Sequence, residues 1–145
     1  MAGNYILKDK KDYPTHFGIT CIATGEETGG QYFMGESEIP EGDNSTPFHI
    51  HTREDESFYI TEGELTFEVE GVATVVKTGS FLTVKKGSKH RFYNHSGKKA
   101  VMQIIFSPAG IEKMFEEFDR NGVRDEEYSQ SINIISEKYG TTFFV

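Results

Sequence analysis

The chain has one cysteine, no tryptophan and only four prolines in 145 residues. Cys21 alone cannot close an internal disulfide, which excludes a cross-linked scaffold and is compatible with a reducing compartment. In the run GITCIAT it reads as a small core hydrophobe rather than a nucleophile. Cations are scarce too: 15 Lys and Arg stand against 23 Asp and Glu, a formal charge of −8. Nucleic acid or an anionic membrane would be repelled over most of such a surface, so neither is expected as a partner. No apolar run approaches the roughly 20 residues of a membrane span. The opening MAGNYILKDKKDYP has no apolar signal core, from which a cytoplasmic location is expected. With no linker, low-complexity segment or fixed repeat, residues 1–145 read as a single domain.

What the chain does have is glycine, phenylalanine and short alternating runs. Fifteen glycines punctuate it, and 12 Phe with 7 Tyr make up the 13% aromatic share, enough to fill a barrel interior. Strands are predicted over residues 17–24 and 31–39, separated by a turn at 25–30, with Pro40-Glu-Gly-Asp turning the chain again. After Gly63, Leu65, Phe67 and Val69 alternate with polar residues, and Glu70-Gly71 leads into a further strand at 73–77. Residues 98–106 form a last apolar strand in which Gln103 is the polar side chain. The pattern then changes: Ser107-Pro108 is a helix-start signal, and Ile111, Met114, Phe115 and Phe118 recur at helical spacing up to Asn121-Gly122. A second helix is predicted over 126–139, with Tyr128, Ile132, Ile135 and Tyr139 on one stripe and Gly140 as its stop. The whole reads as an all-β closed antiparallel double-sheet barrel at about 17–106, with a C-terminal extension of two α-helices at about 107–145.

Two stretches carry the chemistry. The first, GDNSTPFHIHTREDESFYITEG from Gly42 to Gly63, places His49 and His51 one residue apart. Side chains alternate along a strand, so both imidazoles project from the same face within reach of one ion. Glu56 opens the returning strand on the side of Phe58 and Ile60, which brings a carboxylate beside them. The second stretch, GSFLTVKKGSKHRFYN from Gly79 to Asn94, offers His90 in phase with Phe92 and Asn94. Three imidazoles and a carboxylate suit a divalent first-row transition ion, and an octahedral ion with four protein ligands keeps two adjacent positions open. Iron, manganese, nickel, zinc and copper all fit that donor set. His16 has no second ligand at metal spacing and reads as a loop histidine.

The spacing His-x-His-x4-Glu-x6-Gly from His49 to Gly63 resembles the first cupin motif, and the pattern from Gly79 through Gly87 and His90 to Asn94 resembles the second. Lys85 stands where the second motif usually has proline, and Gly42 lies one residue further from His49 than the usual leading glycine. Flanking segments, among them residues 24–30, 55–65 and 107–112, are similar to the quercetin 2,3-dioxygenase-like branch of single-domain cupins. The resemblance implies the cupin double-stranded β-helix, or jelly roll, paired as a homodimer. It also implies a metal held by His49, His51, Glu56 and His90, with Glu56 as catalytic base toward a small aromatic or enolisable substrate such as a flavonol or diketone. Phe58, Ile60, Phe81 and Phe92 are candidate pocket walls, with Gln103 a possible substrate contact. The alternatives are a non-catalytic small-molecule or metal-binding module, and a sugar or keto-acid isomerase or lyase.

Overall fold

The structure, a computed structural model, describes residues 4–43, 46–124, 129 and 131–145. Its first strands are β1 (Thr15–His16), β2 (Ile19–Ala23), β3 (Phe33–Ile39), β4 (His49–His51), β5 (Asp55–Glu62) and β6 (Glu64–Val69). They continue with β7 (Val72–Lys77), β8 (Phe81–Val84), β9 (His90–Tyr93), β10 (Ala100–Ser107) and β11 (Thr141–Phe143). Two antiparallel sheets result: six strands in the order β1-β2-β3-β10-β5-β8 and five in the order β11-β4-β9-β6-β7. This is the expected jelly roll, with short helices after its last long strand.

Alternation decides what lies between the sheets. In β5, Glu56, Phe58 and Ile60 are buried while Tyr59, Thr61 and Glu62 are exposed; in β10, Ala100, Met102, Ile104 and Phe106 face inward. Phe58, Phe67 and Phe92 pack in one ring cluster, with 4.7 Å between the centroids of Phe58 and Phe67. Phe17, Phe33, Phe106, Phe115 and Phe118 pack in another. Each such side chain taken fully out of water contributes roughly 1.5–3 kcal/mol. The polar ligand set lies between these apolar ends.

Several boundaries differ from expectation. The turn at 25–30 contains a one-turn helix, α1 (Gly25–Thr28), because Glu27 accepts hydrogen bonds from the Thr24 N–H and hydroxyl. Ser107 ends a strand instead of starting a helix. The helix α2 (Glu112–Arg120) begins five residues later, where the buried Glu112 carboxylate accepts the N–H groups of Gly110 and Gly25, each at 2.6 Å. Its buried stripe is the one the spacing predicts: Met114, Phe115 and Phe118, preceded by the buried Ile111. Of the second predicted helix, residues 126–128 and 130 lie outside the described residues. Its described part is α3 (Ile132–Ser136) and a 3-10 turn, Glu137–Tyr139. The strand β11 was not anticipated, and it pairs with β4 in the register Thr141↔His51 and Phe143↔His49.

Two loops fix the ligand strands. Asn94 is fully buried and donates to Ile39 O and Lys98 O while its Oδ1 accepts from Ser96, so this motif residue closes a turn instead of facing the site. Although Lys85 replaces the usual proline, the loop is held: Asp55 accepts the Lys86 N–H at 2.9 Å, and His51 O accepts the Gly87 N–H at 2.7 Å. Gly63 turns the chain from β5 into β6 with φ +71°, and a Cβ there would lie 2.6 Å from Lys99 O. Gly63→Ala is therefore expected to destabilise the fold by about 2 kcal/mol or more, from backbone strain plus the clash. The shift in the urea midpoint at unchanged m-value measures it, and a midpoint within error of wild type would refute it.

Candidate metal centre

His49 and His51 both project inward from β4 because residues two apart on a strand share a face, with Ile50 between them on the other. His90 begins β9, directly opposite His49 in the antiparallel register. Glu56 comes from β5, in the other sheet. The structure brings these four predicted ligands together, all about 95% buried or more, with one donor atom from each lying within 4.8 Å of the others. Glu56 Oε1 lies 3.0 Å from His90 Nε2 and 3.1 Å from His51 Nε2. Among the described residues this is the only group of its kind.

The imidazoles are held from outside. His49 Nδ1–H donates to Pro47 O and His90 Nδ1–H to Ser88 O, both at 2.9 Å, while His51 Nδ1 lies 2.8 Å from the Thr141 hydroxyl. With every Nδ1 engaged outward, the Nε2 atoms of His51 and His90 turn toward Glu56. Burial, reinforced by the nearby His90 and His51, pushes His49 down to about 3, so this ring stays neutral with a lone pair to give. Burial pushes Glu56 up, but the hydrogen bonds from His51 and His90 outweigh it and hold the carboxyl well below its usual range. His90 mirrors it: burial pulls the ring down, Glu56 more than compensates, and the net shift is upward. Three imidazoles and a carboxylate, gathered to one point and clamped from behind, fit a divalent first-row ion, which these four residues would hold.

A cavity of about 590 Å³ reaches His49, His51 and Glu56. Phe92 lines it, as predicted from parity. The other predicted walls are elsewhere. Phe58 and Ile60 are fully buried in the core and do not line it. Phe81 is 60% exposed: its register partner is the outward Tyr59, and the neighbouring Leu82 and Val84 turn inward instead. Gln103 faces outward between Glu36 and Tyr59. The apolar wall is built from its neighbours Met102, Ile104 and Phe106, with Met114 from α2 and Phe143 from β11. The parity of β10 around Gln103 was the available signal for the first three; no local pattern marks Phe143 or Thr141. Glu54, also missed, is 3% exposed, and burial pushes its carboxyl up to about 6.

One divalent transition ion per chain is expected by elemental analysis of untagged protein. The His49→Ala/His90→Ala double variant is expected to hold none while staying folded by circular dichroism. Wild type that neither carries nor takes up iron, manganese, nickel, zinc or copper would remove the metal centre.

Comparison with known proteins agrees with this geometry. Residues 35–106 match the cupin domain family. Over 99 residues the chain is 28% identical to a quercetin 2,3-dioxygenase of Bacillus subtilis, a stretch that is 68% of this chain and 28% of that protein. The chain thus spans less than a third of that relative's length. Among solved structures, KdgF from Halomonas sp. superposes with a TM-score of 0.61 at 19% identity, covering 77% of this chain and 99% of that one. A cupin protein from Bacteroides fragilis superposes with a TM-score of 0.60 at 15% identity, covering 75% and 88%. Residues 35–106 thus match the cupin domain family, and the described residues are folded as the cupin double-stranded β-helix.

Proposed function

We propose that the protein is a metal-dependent oxygenase of the quercetin 2,3-dioxygenase-like type, acting on a small, uncharged, largely apolar substrate that meets the ion through an enolic or phenolic oxygen. Wall chemistry is the observation that carries this reading. Among the described residues, the cavity that reaches His49, His51 and Glu56 has no lysine or arginine in its lining. Dicarboxylates, sugar acids and sugar phosphates are ordinarily gripped by guanidinium or ammonium groups. Here they would meet Asp43 instead. A flat apolar molecule gains from burial against Met102, Ile104 and Phe106. The similarity to a quercetin 2,3-dioxygenase supports the same substrate type.

When bound, a divalent first-row ion supplies Lewis acidity toward the substrate oxygen and a site for dioxygen. The protein's own groups do the rest. His49, His51 and His90 orient the centre through their outward bonds. Glu56, placed between the two sheets, both ligates and takes the proton from the substrate hydroxyl. The apolar wall keeps water from the reacting carbon.

Protein loaded in turn with iron, manganese, nickel, copper or zinc is expected to consume dioxygen with a flavonol or β-diketone and to leave oxalate and sugar phosphates unchanged. Glu56→Gln is expected to lower kcat by roughly 10²–10⁴-fold, with metal content determined alongside to separate proton transfer from ligation. No dioxygen uptake with any ion and substrate would defeat the oxygenase reading.

A further inference from the structure

Each imidazole of the centre has an inward and an outward nitrogen, and the outward partner decides which one carries the proton. At His49 and His90 that partner is a backbone carbonyl, Pro47 O or Ser88 O. A carbonyl oxygen only accepts, so both rings carry hydrogen on Nδ1, which leaves Nε2 as the atom available to an ion. His51 is different. Its Nδ1 meets the Thr141 hydroxyl at 2.8 Å, and a hydroxyl donates as readily as it accepts. Thr141 therefore fixes the ring's orientation and leaves its tautomer open.

The next group outward is Glu54, three residues along the turn between β4 and β5, with Oε1 3.7 Å from the same Nδ1. This carboxylate is 3% exposed, and Oε1 has no hydrogen-bond partner among the described residues. A buried carboxylate oxygen left so is costly, and the cost is offset only where positive charge faces it. The Nδ1–H edge of His51 is where such charge arises, most strongly when Nε2 binds a cation. Glu54 does not belong to the group whose donor atoms converge; its oxygen lies on the far side of the His51 ring.

We infer that Glu54 is a positioning residue: acting through His51, its carboxylate holds the Nδ1–H tautomer, commits Nε2 to the metal and makes that nitrogen a stronger donor. Thr141 sets where the ring points, and Glu54 sets where its proton sits. The inference rests on the metal centre described above.

Cobalt(II) is the probe, since its visible spectrum reports the ligand field without turnover. Affinity is measured by chelator competition on wild type, Glu54→Gln, Glu54→Asp and Thr141→Val. Glu54→Gln is expected to bind cobalt roughly 10–100-fold more weakly with displaced visible bands, and Glu54→Asp, which keeps the charge, to recover most of the wild-type spectrum. The metal-free thermal midpoint of Glu54→Gln is expected to equal or exceed that of wild type, because a buried unpaired charge has gone; a merely structural glutamate would instead lower the midpoint and leave the spectrum unmoved. Wild-type affinity and spectrum in Glu54→Gln, with both altered in Thr141→Val, would overturn the role of Glu54 alone. Wild type that binds no cobalt would overturn the metal centre and this role with it.

Discussion

A carboxylate from one sheet held between two imidazoles of the other is the constraint on which this structure depends. Glu56 belongs to the six-stranded sheet, His51 and His90 to the five-stranded one, and the contacts at 3.1 and 3.0 Å fall where two packed sheets bring their inward side chains together. Charged and titratable groups in that position work against folding, since each must leave water. The aromatic clusters on both sides supply the apolar burial that offsets them. The jelly roll thus carries a costly polar centre inside a core otherwise made of apolar side chains, mostly phenylalanine and isoleucine.

The parts of this arrangement visible in the sequence are those governed by local rules. Period-two alternation alone puts His49 with His51 and Glu56 with Phe58, and the structure has both pairs on inward faces. The stripe Ile111, Met114, Phe115 and Phe118 likewise needs only helical spacing. The failures are where a side chain's environment is set by a distant partner. Phe81 is as apolar as Phe92, yet it pairs with outward Tyr59 and stands in solvent. Gln103 sits in an apolar run, and only pairing with β3 and β5 decides that its neighbours, not it, face the cavity. Ser107-Pro108 carries a helix-start pattern, but β10 extends through Ser107, and the helix start is defined by Glu112 binding the backbone of Gly25, 87 residues away.

The outer shell of the site is the least legible part, for the same reason. Pro47 and Ser88 act through backbone carbonyls, which any residue could supply. Thr141 acts through its hydroxyl, but nothing near it in sequence marks that threonine out from the next. Its meaning comes from strand pairing alone.

That pairing has a consequence in time. Residue 141 follows His51 by 90 positions, and at translation rates of about 5–20 residues per second the ligand strand waits several seconds for its neighbour to be made. Over that interval β4 can already meet β9, yet its other edge stays open and His51 lacks its clamp. Of the three groups that hold the imidazoles from outside, at Pro47, Ser88 and Thr141, the clamp on His51 is thus the last to be synthesised.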